Sequence, residues 1–391
     1  MSVVKEGWTY KKLGEVGTLL RGKGIQKTDF VENGRPCIHY GQIHTIFGVS
    51  TERHITSIPD ELFEQSVIAS KGDVLLTLTS EDVEGSCKST AWLGDYDIAV
   101  SSDAAIYKHS LNPKFVVYYL QSNSFYSEKA KYARGFKVTH IKTVDIAEIS
   151  IPVPPLPIQQ SIVSELDKIN ELIALKKSQL KDLDFLAQSI FYEMFGDPVI
   201  NEKGWNKCYF YDMGELSRGV SKYRPRNAPE LLGGSMPLIQ TGDVANADMY
   251  IRKYSSTYSD FGVSQSKVWK AGTLCVTIAA TIGKCAILGF DACFPDSVVG
   301  FTVNKEKCNN EYVFFIFKRL QSILEENAPA VAQKNINLKV LNDLLIPLPP
   351  LSLQHQFAER VEAIERMKQQ VQIAIKDLET LLASRMQYWF D

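Results

Sequence analysis

The sequence has no apolar run long enough to cross a membrane and no amino-terminal segment typical of a secretion signal. A spanning helix needs about 18 or more apolar residues, and a signal peptide needs a basic segment before an apolar one. The seven cysteines are scattered and include no Cys-x-x-Cys pair, a pattern typical of reduced thiols. We therefore expect a cytoplasmic protein without disulfides and without a membrane partner.

Motifs that carry catalysis or bind cofactors are also missing. The six histidines include no His-x-x-x-His pair, which argues against a metal site. No Gly-x-Gly motif precedes a tetrapeptide similar to Asn-Pro-Pro-Tyr, as a self-contained methyltransferase would require. Gly283-Lys284 lacks the earlier glycine and the following Ser or Thr of a phosphate-binding loop. We predict a protein that is not an enzyme and that binds no metal or cofactor itself.

Positive charge is not in excess. The net charge of −2 does not favour a protein that coats nucleic acid by charge alone, because neutralising phosphates requires clustered Lys and Arg. Any role on nucleic acid must therefore use local basic patches or depend on a partner subunit. The length of 391 residues exceeds one ordinary core, so two or more domains are expected.

What the sequence does contain is an internal repeat. The segment Ile-Pro-Val-Pro-Pro-Leu at 151–156 returns as Ile-Pro-Leu-Pro-Pro-Leu at 346–351. Trp8 and Trp205 open the two halves of the chain. A repeat over nearly the whole chain predicts a pseudo-twofold molecule, which can address a partner that has two related halves.

The repeat divides the chain into four segments and indicates an α+β fold class. We predict two mixed α/β domains at 1–150 and 198–345, separated by two long antiparallel helices that form a coiled coil. Each helix follows a proline motif, in the segments 151–197 and 346–391. Between the shared anchors the two domains differ in sequence, as two readers of different targets would, although simple drift explains this too.

Each proline motif opens a helix whose apolar residues keep a 4-3 spacing, which indicates a coiled-coil seam. Lys176 and Ala187 interrupt the first seam, and Lys368 and Arg385 interrupt the second at positions that do not coincide in the repeat. Each helix is thus suited to the other rather than to a copy of itself, although two ordinary amphipathic helices of a bundle remain the alternative. The predicted helix-pair interface comprises Ile162, Leu166, Ile169, Ile173, Leu180 and Leu183 in the first helix and Phe357, Val361, Ile364, Val371, Ile375 and Leu378 in the second.

The helix ends carry their own signals. We expect Pro157 at N1 and Ser352 as N-cap of the two helices, and Gly196 before Pro198 to end the first helix. An antiparallel pair would hold the two domains at opposite ends of a rod. The predicted seam spans about 48 Å at ~1.5 Å per residue, roughly the length of 14 base pairs of B-DNA.

The motif Ile-Pro-x-Pro-Pro-Leu-x-x-Gln, at 151–159 and again at 346–354, resembles the signature of type I restriction–modification specificity (S) subunits. The order of domain, long helix, domain and long helix is similar to that family over essentially the whole chain. The resemblance implies a non-catalytic subunit whose two target-recognition domains each read one half of a split DNA target. The helix pair would then measure the unread spacer.

The same resemblance implies a set of partners. They are double-stranded DNA, two methyltransferase (M) subunits that use S-adenosylmethionine, and restriction (R) subunits that hydrolyse ATP with Mg. These cofactors would belong to the partner subunits. Two other functions remain open, namely the recognition part of a fused restriction–methylation enzyme and a scaffold that joins two protein partners.

Three regions in each domain offer the cations, donors and acceptors that DNA recognition needs. In the first region, glycines beside Arg21 and Arg218 would let the backbone approach a phosphate, although a solvated turn fits equally well. The candidates in the first region are Arg21, Lys23 and Lys27 in the first copy and Arg218, Ser221, Lys222, Arg224 and Arg226 in the second.

The second region lies at predicted strand ends, where Gln suits adenine and Asp accepts from cytosine, with a plain β-turn as the alternative. Its candidates are Tyr40, Gln42, Thr77, Thr79 and Ser80 in the first copy and Gln240, Thr241, Asp243, Thr277, Thr281 and Lys284 in the second.

The third region is a basic run opposed only by Glu128, which predicts a phosphate patch, with a charged helix face as the alternative. Its members are Lys129, Lys131, Arg134, Lys137, His140 and Lys142, and the counterparts in the second copy are Gln333, Lys334 and Asn335.

Overall fold

The computed structural model describes residues 7–135, 138–278, 283–326 and 342–391. The chain divides into two compact units: the first is Met1–Lys177 with Ile373–Asp391, and the second is Ser178–Gln372. Each unit holds one sheet-containing domain and one segment of each of two 40-residue helices.

The domain of the first unit alternates short strands with short helices. The strands are β1 (Thr9–Lys12), β2 (Gly17–Arg21), β3 (Arg35–Ile38), β4 (Ser50–Thr51), β5 (Thr56–Ile58), β6 (Val67–Ala69), β7 (Val74–Thr77), β8 (Thr79–Ser80), β9 (Ser89–Trp92), β10 (Ile98–Val100), β11 (Ala104–His109), β12 (Thr139–His140) and β13 (Ser150–Val153). The helices are α1 (Leu13–Val16), α2 (Tyr40–Thr45), α3 (Asp60–Glu64), α4 (Pro113–Leu120), α5 (Asn123–Lys129) and α6 (Thr143–Ala147), followed by the long α7 (Leu156–Phe195).

The domain of the second unit repeats this order. Its strands are β14 (Lys207–Tyr209), β15 (Gly214–Arg218), β16 (Leu232–Leu238), β17 (Tyr250–Ile251), β18 (Ser256–Tyr258), β19 (Val268–Trp269), β20 (Leu274–Thr277), β21 (Cys285–Leu288), β22 (Ala292–Cys293), β23 (Val298–Val303) and β24 (Leu345–Pro347). The helices are α8 (Phe210–Met213), α9 (Thr241–Ala245), α10 (Asp260–Ser264), α11 (Asn310–Glu326) and the long α12 (Leu351–Phe390).

The sheets of the two domains have the same strand order, which confirms the internal repeat. A five-stranded sheet is ordered β2-β11-β7-β9-β4 in the first domain and β15-β23-β20-β21-β17 in the second. A four-stranded sheet is ordered β5-β3-β10-β6 and β18-β16-β22-β19, respectively. In both domains the first strand pairs antiparallel with the proline-motif strand, as β1 with β13 and β14 with β24.

Strand β7 lies in the middle of its sheet because its residues are apolar on both faces. Val74 and Leu76 pack into a cluster with Phe115 of α4, whereas Leu75 packs on the other face with Ile106. Burial of each such side chain contributes about 1.5–3 kcal/mol. The continuous apolar run in the sequence therefore becomes a strand covered on both faces.

The two long helices begin one or two residues earlier than the sequence predicts. They start at Leu156 and Leu351, so Pro157 and Ser352 are each the second helical residue. The prediction of Ser352 as N-cap is wrong, because the backbone turn is closed at Pro350, whose carbonyl accepts from Leu353 at 2.9 Å. The predicted end of α7 is confirmed: Gly196 follows Phe195 with a φ of +77°.

Helix contacts in the first unit run antiparallel, because Glu165 binds Arg385 and Lys177 binds Glu379. Ile162 and Leu166 of α7 share a core cluster with Phe390 of α12. Helix α12 is also tied to the domain, where Phe390 packs 5.4 Å from Phe115 and Trp389 stacks on Trp8 at 6.4 Å between ring centroids.

Helix contacts in the second unit run antiparallel as well. Phe195 of α7 packs 5.2 Å from Phe357 of α12, and Asp184 lies 2.7 Å from Lys368. Of the predicted interface, Leu180 and Leu378 are half-buried and the other ten residues are buried. Within the described part of the chain, no helix is both long and apolar enough to span a bilayer.

Candidate nucleic-acid interface

A strand leads into a short capped helix in each domain. In the first domain, His39 caps α2, and the backbone N–H of His39 donates to the side chain of Gln42 at 3.0 Å. In the second domain, the backbone N–H of Gln240 donates to Asp243 at 2.8 Å. Gln42 and Asp243 each stand three residues after the cap and close a capping box. That spacing was visible in the sequence and would have identified both helix starts.

His39 is held neutral at this junction. Burial lowers the pKa of the His39 imidazole, and the charge of Lys27 lowers it further. A neutral ring leaves Nδ1 free to accept the hydrogen bond from the Gly41 N–H at 3.2 Å. The lowered pKa favours this neutral, accepting form of the cap, although the charge of Asp103 opposes the shift.

The glycines beside Arg21 and Arg218 serve the protein backbone and not a phosphate. A Cβ on Gly22 would lie 2.1 Å from the carbonyl oxygen of Ser101, and one on Gly219 would lie 2.3 Å from that of Pro295. The expectation that these glycines permit approach to DNA is corrected, because backbone carbonyls of the segments that follow β10 and β22 fill the space.

Two of the three predicted regions of the first domain meet at Asp103. Arg21 of the first region donates through Nε to the Ser102 carbonyl at 2.9 Å, and its Nη2 lies 3.9 Å from the Asp103 carboxylate. Thr79 of the second region donates to the same Asp103 oxygen at 3.5 Å. The sequence did not single out Asp103, because only the fold brings it to these groups.

Thr79 also connects to the third region. Strands β8 and β12 pair there, with Thr79 opposite His140, and the two side chains lie 3.0 Å apart between Oγ1 and Nδ1. The backbones of His140 and Arg134 exchange hydrogen bonds of 2.8 and 3.1 Å. Three segments far apart in sequence thus form one polar surface.

An open cleft of about 1170 Å³ lies beside this surface. Lys27, Tyr40, Thr79 and Ser80, all predicted from the sequence, line it. His44 and Lys88 are among the lining residues that the sequence analysis missed, and they are joined by a 2.5 Å hydrogen bond from the Lys88 ammonium to the His44 carbonyl.

Five predicted contacts face the interior and are corrected to structural positions. Their polar groups are removed from the surface, so they cannot meet a base edge or a phosphate without rearrangement. They are Gln42, whose amide donates to Thr56 at 3.1 Å, together with Thr77, Ser221, Thr277 and Lys129.

The second domain presents a separate cluster of cations. Arg224 and Arg226 both bind Asp296, and Arg224 also donates to the Ser221 carbonyl at 2.5 Å. The backbone N–H groups of Lys222 and Tyr223 donate to one oxygen of Gln265, at 2.6 and 2.9 Å. This fixes the path of the loop that carries the cations.

The remaining candidates lie at the surface or beyond the described ranges. Lys23, Lys27, Lys131, Arg134, His140, Lys142, Arg218, Lys222, Gln240 and Lys284 are exposed, and Thr241 and Asp243 are half-buried. Lys137, Thr281, Gln333, Lys334 and Asn335 fall outside the described residues. In the described ranges, no group of three or more His, Cys, Asp or Glu side chains is placed to hold a metal ion.

Comparison with known proteins identifies the family. The model of the type I restriction modification DNA specificity domain matches residues 5–183 and again 202–377. The chain belongs to this family. Its two matches coincide with the internal repeat, so the specificity chain carries two copies of the domain, joined by a long helix.

Related specificity subunits match this chain over different shares of its length. The EcoKI specificity subunit of Escherichia coli strain K12 is 20% identical over 97% of this chain and 87% of its own length. The type I restriction enzyme MjaVIII specificity subunit of Methanocaldococcus jannaschii is 25% identical over 48% of this chain, and the match spans 45% of that relative. A solved chain from work on complex assembly and conformational transition of the type I R-M system shares the fold, with a TM-score of 0.64, 17% identity and coverage of 100% and 99%.

Proposed function

We propose that this chain reads a split DNA target, with one half read by each domain. The observation that carries the proposal is the meeting of three separately predicted polar regions in the first domain, at Asp103 and Thr79. Exposed cations beside hydroxyl and imidazole groups match the mixture of phosphate and base contacts that sequence recognition requires.

We also propose that the helix pair sets the spacer between the half-targets. Two helices of 40 residues each support this, since each would be about 60 Å long at ~1.5 Å per residue. Ion pairs and aromatic contacts hold the helix segments in register within each unit.

The partners we propose are two M subunits and R subunits, docked on the helices and adjoining surfaces. Exposed apolar side chains on α7 support docking, since large apolar groups on a surface mark interaction sites; they are Leu172, Leu175, Phe185 and Leu186. In this proposal the chain has no catalytic activity and holds no cofactor, and S-adenosylmethionine, ATP and Mg act in the partners. We propose the cytoplasm as its location, in keeping with seven free thiols.

Exchange of domains tests the recognition proposal. Residues 1–150 would be replaced by the corresponding domain of another family member, and the complex with M subunits would be assayed by methylome sequencing. We expect one half of the methylated sequence to change and the other to persist. A change in both halves, or in neither, would contradict independent recognition.

Two further measurements separate the alternatives. S-adenosylmethionine binding by the isolated chain would favour the recognition part of a fused enzyme. Equal affinity of the assembled complex for target and random DNA would favour a scaffold.

A further inference from the structure

A hairpin frame is the same in the two domains, but it encloses segments of different length. In the first domain, the Thr77 N–H donates to the Lys88 carbonyl and the Cys87 N–H donates back to Thr77, each at 2.9 Å. In the second, Thr277 makes the same pair of bonds with Lys284 and Gly283, again at 2.9 Å. The frame encloses residues 78–87 in one domain and 278–283 in the other. A shared frame with a different tip is expected of an element that sets specificity.

The tip of the first domain, which we call the reading loop (Ser80–Cys87), lines the cleft beside Tyr40 and Lys27. The Gly85 N–H donates to Asp82 at 2.7 Å, and the Ser86 hydroxyl donates to the Val83 carbonyl at 2.7 Å. Its outer side chains are exposed, whereas Ser86 and Cys87 are buried. The reading loop is therefore ordered yet open to a ligand in the cleft.

One residue outside the reading loop holds it. Lys129, at the end of α5, is only 4% exposed, and its ammonium donates to the Glu84 carbonyl at 3.0 Å and the Ser86 carbonyl at 2.5 Å. Burial lowers the pKa of this ammonium, and the carboxylate charges of Asp82 and Glu84 partly oppose the shift. Burying a charged group costs free energy unless it is compensated. Because the Lys129 ammonium is compensated by two carbonyls of the reading loop, we infer that its role is to hold the conformation of that loop.

The backbone of the reading loop needs such support. Cys87 has a φ of +58°, in the left-handed region, where the second domain has Gly283 at +77°. A side chain at such a position costs free energy, and the conformation persists only where neighbouring contacts impose it. Lys129 binds the carbonyl of the residue immediately before Cys87.

We propose that Lys129 is a positioning residue for base recognition and holds the reading loop in the conformation that reads the first half-target. This inference rests on the proposed function. The loop tip carries Glu81, Asp82 and Glu84, whose negative charges repel DNA phosphates. In this proposal the loop therefore contacts base edges, while Lys27 and Lys88 of the cleft contact the phosphates of the DNA backbone. Loss of Lys129 should then alter base preference and leave salt dependence unchanged.

The test uses the full chain assembled with its methyltransferase partners. Lys129→Met removes the charge, Lys129→Arg keeps a cationic donor, and Lys71→Met is the control, because Lys71 is exposed, pairs with Asp95 and lies outside the predicted DNA contacts. DNA competitors altered one base pair at a time report the preference in each half-target. We expect Lys129→Met to lower discrimination at one or two positions of the first half by about tenfold, and Lys129→Arg to restore part of it.

A second variant guards against misfolding. Replacement of residues 81–84 by glycine and serine changes only the outer part of the reading loop and should relax the same positions. Unchanged discrimination in this variant, or equal losses in both half-targets for Lys129→Met, would overturn the proposal. A wild-type complex without any base preference would instead refute the proposed function.

Discussion

The side-chain oxygen of Gln159 accepts the backbone N–H of Asn112 at 2.8 Å, while its amide donates to the Pro154 carbonyl at 2.8 Å. In the second unit, Gln354 accepts from the Asn309 N–H at 3.1 Å and donates to its own proline motif at 2.9 Å. Both side chains are buried. The glutamine that ends each repeated motif thus joins the start of a long helix to the start of a helix in the domain. This link needs a side chain that both donates and accepts a hydrogen bond, as an amide does.

Removal of this amide should destabilise the first unit. Gln159→Leu leaves the Asn112 N–H and the Pro154 carbonyl buried without their partner, at a cost of about 1–3 kcal/mol. Chemical denaturation should show the loss of free energy of unfolding. Gln65→Leu in the same unit is the control, because Gln65 is exposed and lies outside the proline motif. Equal effects of the two substitutions would contradict the assigned role.

Phe390 completes the core of the domain that begins the chain. It is buried against Phe115 and Tyr119 of α4, so Phe390→Ala should cost about 3–5 kcal/mol. Hydrogen exchange should show faster opening of α4 while α11 in the second unit keeps its protection. Gln387→Ala, at an exposed position of the same turn, should leave both unchanged. Unaltered exchange in α4 after Phe390→Ala would contradict the packing role.

The pair of Glu165 and Arg385 makes stability depend on pH. Hydrogen bonding to Arg385 holds the pKa of the Glu165 carboxyl below its ordinary value of 4.5. A depressed carboxyl pKa stabilises the folded state above about 4.5, and this contribution disappears as the pH falls through the lower folded value. Glu165→Gln should therefore destabilise at pH 6 and have little effect near pH 2.

Unfolding midpoints measured between pH 2 and pH 7 check this. Glu171→Gln, at an exposed position of the same helix, should follow the wild-type curve. A Glu165→Gln curve that stays parallel to wild type down to low pH would exclude the proposed linkage.

Lys368 lies in the seam, where the apolar pattern predicts a hydrophobic residue. It is 4% exposed and contacts Asp184 at 2.7 Å, Glu365 at 3.1 Å and Asp248 at 3.5 Å. Burial lowers the pKa of its ammonium. The hydrogen bond to Asp184 and the charges of Glu365 and Asp248 together raise this pKa by more than burial lowers it, so the net shift is upward.

Lys368→Met should therefore destabilise the second unit, because three carboxylates would face one another without a cation. Since two of these carboxylates are half-exposed, we expect a loss of about 1–3 kcal/mol, measured by denaturation. The exposed Lys376→Met provides the comparison. A more stable Lys368→Met protein would mean that packing outweighs the ion pairs.

Exposed cations of the first domain should bind phosphates without selecting bases. Arg134→Ala and Lys142→Ala should each make the negative slope of log K for DNA binding against log salt concentration shallower by about one. Neither should change the methylated sequence. Titrations of the assembled complex at several salt concentrations measure this. Lys71→Ala, which breaks an exposed pair with Asp95, should leave the slope unchanged, and a change in target sequence for Lys142→Ala would reassign it to base recognition.

The elements that sequence predicts well are those set by local periodicity. The long helices and the end of α7 before Gly196 follow from apolar spacing and the terminating glycine alone. Which polar residues face the surface is a different matter. Thr77 and Lys129 become buried because strands and helices distant in sequence cover them, and the meeting of Arg21, Thr79 and His140 depends on long-range pairing that no local pattern encodes.

The stacking of Trp8 on Trp389 also affects the order in which the molecule can form. During translation, the amino-terminal domain leaves the ribosome first, yet its hydrophobic core lacks Phe390 until α12 has been synthesised. The second domain, made later, already has the end of α7 available when it folds. A premature stop codon before the codon for Phe390 would therefore damage the domain that was made first.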